Sequence, residues 1–156
     1  MVKLLTLGAL LALSACAGQS NYSAIETVAV RYVRAPLDVG AAGANELAAV
    51  DARGCTLKRR DQAIVLDLLG KAQSRAAEWQ QRATPLKHSA ILIAVHTRTG
   101  PSWVAALPAS APRGDTAVEI RIDSHEAYLA PDEFAFLQTV AARNGCRYSA
   151  RMEKAA

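Results

Sequence analysis

Three histidines, three cysteines and a scatter of carboxylates are the residues of this 156-residue chain that could do chemistry. Ser124, His125 and Glu126 supply the residue types of a hydrolytic triad, in which a serine attacks, a histidine takes its proton and an acid orients the ring. Their adjacency works against that use, because neighbouring side chains in extended backbone point to opposite faces. The sequence also has no Gly-x-Ser-x-Gly elbow to present a nucleophile. These residues read as a polar turn between a strand and a helix. A metal site needs three or four convergent donors, and His88, His96 and His125 are not spaced to converge. His88 and His96 share strand parity, but eight strand residues separate them by about 26 Å. Neither a metal nor a cofactor is expected. Asp115, Asp123, Glu126 and Glu133 could supply the acid and base of glycoside hydrolysis, yet no pattern marks them as buried, so they read as solvated.

Two sets of residues suit binding better than catalysis. Lys58, Arg59 and Arg60, with Arg53 nearby, form a basic cluster just before a predicted helix. Cations are electrostatically disfavoured at that end of a helix dipole, so Arg59 and Arg60 are candidates for meeting an acidic partner. Arg98 and Trp103 flank a predicted turn, and Arg and Trp are favoured at recognition surfaces. The alternative for Trp103 is a place in the core.

The elements that must position these residues can be read from periodicity. Val28, Val30 and Tyr32 alternate with Thr27, Ala29 and Arg31, as in a half-buried strand that Pro36 ends or bends. Residues 38–54, rich in glycine and alanine, fit a helical turn or a strand equally well. A long helix is predicted over 61–83, with Asp61 as N-cap and Pro85 forbidding continuation. Ile64, Leu68, Ala72, Ala76 and Trp79 line one of its faces, with Val65 and Leu69 widening the stripe. Asp67 with Lys71, and Glu78 with Arg82, form i,i+4 pairs on the wet side.

Residues 90–95 are an unbroken apolar run, the mark of a strand buried on both faces. A turn at 97–101 and a strand over 102–107 make a hairpin with it. A loop over 108–116 precedes Val118, Ile120 and Ile122, which alternate with Glu119, Arg121 and Asp123. A second helix then starts near Pro131, carries Phe134, Leu137 and Ala141 on one face, and ends at Asn144-Gly145. The expected fold is α+β: an antiparallel sheet of about four strands, with the long helix and the shorter C-terminal helix packed on one face.

The start of the chain carries an address. Lys3 is a positive n-region, residues 4–13 form an apolar stretch too short to cross a bilayer, and Leu13-Ser14-Ala15-Cys16 follows. These first 17 residues resemble the signal peptide and lipobox of bacterial lipoproteins. The resemblance implies cleavage after Ala15, acylation of Cys16 and, with Ala17 next, an outer-membrane destination. Acyl chains at roughly 0.8 kcal/mol per buried CH₂ make a stable anchor once two or more are present.

The implied organisation is a signal peptide over 1–15, a lipidated tether over 16–23 and a single periplasmic domain over 24–156. Lipidation leaves Cys55 and Cys146 as an even pair in a compartment that permits disulfides, and a structural bridge between them is expected. The net charge falls from +4 to +3 when Lys3 leaves. That excess is compatible with anionic lipid or cell-wall polymer but is not the clustered basic face of a nucleic-acid binder. The sequence therefore suggests a non-enzymatic outer-membrane lipoprotein, anchored through Cys16, whose domain binds an envelope or secreted protein through a sheet face or the 97–103 turn. Its rivals are a periplasmic inhibitor or immunity protein against a cell-wall-degrading toxin or lysozyme, and a minor peptidoglycan-active enzyme.

Overall fold

The structure, a computed structural model, describes residues 24–38, 52–75, 77–100, 102–114 and 116–146. The expected signal peptide and tether, with Cys16, as well as Asp115 and most of the ambiguous 38–54 segment, lie outside the described residues. The described elements are β1 (Ile25–Asp38), β2 (Ala52–Thr56), α1 (Arg59–Ser74), α2 (Ala77–Gln80), β3 (Ala83–Thr84), β4 (His88–Thr97), β5 (Trp103–Leu107), β6 (Ala117–Ile122), β7 (His125–Leu129) and α3 (Pro131–Arg143).

The class is α+β as expected, but the sheet has seven strands where about four were expected. Strand β4 sits between β1 and β5, antiparallel to both, with Val30 opposite Ile93 and Ala94 opposite Val104. This is the place the apolar 90–95 run predicted. Val118 faces Thr84 of β3 on one side and Leu129 of β7 on the other, while Ile122 faces both Ala105 of β5 and His125 of β7. A strand has two edges, so β3 and β5 share one edge of β6, end to end, and β7 takes the other. Only β3 runs parallel to its neighbour.

Three strands were not foreseen. Residues 52–56, which overlap the end of the ambiguous 38–54 segment, form an edge strand, β2, with Cys55 opposite Val30. Gly54 therefore lies inside a strand. Gly145, at φ +83°, does close a helix. The predicted polar turn at 124–126 is really the start of β7. Its hairpin turns at Asp123 and Ser124, where Asp123 adopts φ +52°, a conformation that a short carboxylate side chain tolerates. The Asp123 N–H donates to the Val104 carbonyl at 2.8 Å and its Oδ1 accepts from the Val104 N–H at 3.1 Å. The residue thereby extends the β5–β6 ladder through the turn. Pro36 bends β1 without ending it, and the register with β4 slips between Tyr32 and Leu37.

The predicted long helix is shorter than 61–83. It starts at Arg59, which puts Asp61 in its first turn and Lys58 at the N-cap, and it stops at Ser74. Arg75 is extended, with ψ 111°, and three interactions hold it out of the helix. Its guanidinium pairs with both carboxylate oxygens of Glu133, donates to the Tyr128 carbonyl at 3.2 Å and lies 4.4 Å from the centroid of the Trp79 ring. Together these outweigh one more helical turn. The Asp67–Lys71 pair forms at 2.8 Å. Arg82 lies in a turn beyond α2, off the predicted helix face.

Val65, Leu69 and Ala72 of α1 and Phe134, Leu137 and Val140 of α3 bury one sheet face, meeting Val30, Ile93, Leu107, Ile120 and Leu129. The opposite face holds a second apolar group of Val33, Leu86, Ala90, Leu92, Val104 and Ala106. Both described helices of three or more turns thus lie on the same side, as the amphipathic stripes predict. Cys55 and Cys146 are joined by a disulfide that ties β2 to the chain just after α3.

Candidate functional site

Strand alternation determines which side chains share a face. On β6, Val118, Ile120 and Ile122 point to the helices, so Glu119 and Arg121 point away from them. On β7, Ala127 and Leu129 take the helix side and leave Glu126 and Tyr128 on the other. The register sets Glu119 opposite Tyr128 and Arg121 opposite Glu126, giving four ionisable groups side by side at the end of the sheet face opposite α1 and α3.

These four groups are coupled. The Arg121 guanidinium lies 3.4 Å from Glu126 through Nη2 and 3.8 Å from Glu119 through Nε. That Nε is buried and has no hydrogen-bond partner. The Tyr128 hydroxyl donates to Glu126 Oε2 at 3.0 Å, and Gln80 reaches the same oxygen at 3.5 Å. Burial pushes the Glu119 carboxyl up from its ordinary range and the nearby Glu126 charge adds to this, while the Leu86 N–H and Arg121 oppose it. Tyr128 is pushed up to about 12, first by burial and then by its bond to Glu126. The outcome is a preset row of donors and acceptors, with Glu126 and Arg121 reaching solvent. Such a row suits recognition of a polar or charged surface.

The candidates singled out by sequence occupy other places. Trp103 opens β5 on the helix side, half-buried against the main core, so the core alternative holds for it. Arg98 is exposed in the turn after β4, and its N–H donates to the Ala24 carbonyl at 2.8 Å. Arg59 and Arg60 are exposed in the first turn of α1. Leu57 bonds Val28, and Ile25 pairs with Thr97. Arg59, Arg60 and Arg98 therefore share one end of the sheet, though Trp103 does not join them on a surface.

The groups considered for catalysis are dispersed. Ser124 Oγ and His125 Nδ1 are 3.5 Å apart and exposed, but Glu126 sits on the opposite face of β7 and cannot orient the ring. His88 and His96 mark opposite ends of β4. Among the described residues no group of three metal-ligating side chains converges. Of the four carboxylates weighed for sugar chemistry, Asp123 is committed to its turn and Glu133 to Arg75, while Glu126 belongs to the β6–β7 row. The sequence reading missed Glu119, Arg121 and Tyr128. Alternation with Val118, Ile120 and Ile122 had already put Glu119 and Arg121 on one face, and the missing information was the partner strand β7.

A shallow open groove of about 220 Å³ also runs along the β1–β2 edge, lined by Ala29, Arg31, Gly54, Cys55 and Thr56. Comparison with known protein families, with characterised proteins and with solved structures found no match.

Proposed function

We propose that this protein is an outer-membrane-anchored periplasmic lipoprotein whose α+β domain is a non-enzymatic binding module for another envelope or secreted protein. The anchor reading rests on Leu13-Ser14-Ala15-Cys16 behind its apolar stretch. The binding reading rests on one observation, the row of Glu119, Arg121, Glu126 and Tyr128 on the sheet face away from α1 and α3. An arginine held between two carboxylates is already oriented, so a partner that meets it loses little side-chain entropy. Arg121 and Glu126 keep 30% and 41% of their side chains exposed, which leaves both open to a partner's charged groups. The sheet-face alternative is thus favoured over the 97–103 turn, whose Trp103 is engaged with the core.

A photocrosslinker placed at Glu126 in intact cells tests this. One discrete envelope adduct, weakened by Arg121→Ala in the same chain, is the expected result. Equal labelling of many proteins, or an adduct indifferent to Arg121, overturns the sheet-face reading.

A further inference from the structure

The end of the domain where the chain enters from its N-terminal segment is also its basic end. Ala24 accepts the Arg98 N–H at 2.8 Å, and the Leu57 N–H reaches Val28 at 2.9 Å. The start of α1 therefore stands only a few strand residues from the point where the domain begins. Lys58, Arg59, Arg60 and Arg98 are all exposed there. Lys58, Arg59 and Arg98 make no ion pair among the described residues, and Arg60 approaches only Asp61, at 3.8 Å. Acidic groups at this pole do not cancel the cations. Asp61 is buried and already held by Arg143 and Asn144, Asp123 is bonded to Val104, and among the described residues at this pole Glu26 is the remaining exposed carboxylate.

This placement runs against the helix. Two arginines in the first turn face the positive end of the α1 dipole, and Lys58 at the N-cap makes no side-chain capping bond. Apart from the 3.8 Å approach of Arg60 to Asp61, the cations contribute nothing local to the helix, so an outside anion is the better account of them. Chain length limits how far away that anion lies. However residues 17–23 are arranged, Cys16 and Ala24 are separated by at most about 28 Å of extended chain.

We infer that this pole docks on the anionic phospholipid headgroups of the leaflet that carries the anchor. Resting on the anchor proposed above, the docking turns the domain so that its opposite end points away from the membrane. Basic side chains near an anionic leaflet are attracted within about a Debye length, and the attraction weakens as salt rises.

The protein's own trypsin sites report the orientation. Arg98 belongs to the basic pole, while Arg113, exposed in the loop between β5 and β6, belongs to the opposite end. The full lipidated protein is inserted into vesicles of phosphatidylglycerol with phosphatidylethanolamine, or of phosphatidylcholine alone. Cleavage after Arg98 is expected to be roughly tenfold slower on the anionic vesicles, with Arg113 cut at equal rates on both. High salt, or the double variant Lys58→Glu and Arg59→Glu, should remove the difference at Arg98. An acylated protein cut equally fast at Arg98 on both vesicles overturns the docking alone. An unmodified Cys16, read from the mass of the N-terminal peptide, overturns the anchor and the docking together.

Discussion

Arg143, at the end of α3, binds Asp61, in the first turn of α1, through two guanidinium nitrogens, with Nε 3.2 Å from Oδ2. Asn144 adds a third bond to the same carboxylate at 2.7 Å, and its Oδ1 accepts the Lys58 N–H at 2.8 Å. Asp61 is only 2% exposed. One carboxylate thus joins the start of one helix to the end of the other, beside the Cys55–Cys146 bridge. Asn144 thereby anchors the residue that opens α1, whose own side chain makes no capping bond.

The pH dependence of stability should follow from this pair. The Arg143 and Asn144 hydrogen bonds hold the Asp61 carboxyl below its usual range. The bonds from Arg75 and the Ala130 N–H do the same for Glu133, against an opposing effect of burial. A depressed carboxylate stabilises the fold fully above its unfolded pKa and loses that contribution as pH falls through the folded one. The contribution of these two carboxylates to the thermal midpoint should therefore be flat from neutral pH down to about 5, then fall below about 4. In Asp61→Asn the midpoint should be several degrees lower at neutral pH and the acid decline shallower. An unchanged acid limb in that variant would show that Asp61 does not carry it.

A second prediction concerns Arg75 and Glu133, whose side chains are 21% and 19% exposed. Glu133→Ala removes the Arg75 partner and the carboxylate that accepts the Ala130 N–H at 2.9 Å. The expected loss is about 2 to 3 kcal/mol by chemical denaturation, since one ion of a largely buried pair is stranded and a helix cap is lost. Arg75→Ala with Glu133→Ala should cost less than the two single changes added together, because the stranded charge is removed. Strict additivity would mean the two side chains are not coupled.

Glu119 should behave in the opposite sense. Burial raises its pKa, so the folded state favours the protonated acid, and the stability this brings at low pH is lost as pH rises through the folded pKa. Glu119→Gln keeps an acceptor for the Leu86 N–H without the charge. It should raise the thermal midpoint at pH 7, with the gain shrinking as pH falls through the raised folded pKa and gone by about pH 4. A lower midpoint at pH 7 would mean that the attraction between Glu119 and Arg121 outweighs the burial of the carboxylate.

What was legible in the sequence depended on how local its cause was. The burial of β4 on both faces is written in the apolar 90–95 run, and the α3 boundaries in Pro131 and Asn144-Gly145, because each signal acts within a few residues. Strand β7 was hidden because His125 and Glu126 read as polar turn residues, and only pairing with β6 makes them a strand. The end of α1 was hidden because nothing near Arg75 breaks a helix. Its break comes from Glu133, Tyr128 and Trp79, two of them more than 50 residues away. The β6–β7 row inherits the same limitation. Glu119 and Arg121 were visible as one face, while Glu126 and Tyr128 became their neighbours only through a pairing that local pattern does not encode.

The last prediction tests whether β2 is held by its backbone or only by its disulfide. A Cβ added at Gly54 would stand 2.0 Å from the Val30 carbonyl oxygen and 2.7 Å from the Arg31 Cα. These are backbone atoms that cannot rotate away, so Gly54→Ala must push β2 off β1. A cost of about 1 to 3 kcal/mol, typical of overpacking, is expected. Cys55→Ala with Cys146→Ala instead removes a cross-link between residues 91 apart in sequence, worth about 4 to 5 kcal/mol in the chain-entropy model. Hydrogen exchange separates the two effects. In Gly54→Ala the Leu57 amide, which donates to Val28, should exchange much faster while the amides of β4 keep their protection. In the double cysteine variant, protection should fall throughout the domain, because the bridge acts mainly on the unfolded chain. Unchanged protection at Leu57 in Gly54→Ala would show that β1 can yield to an added methyl group.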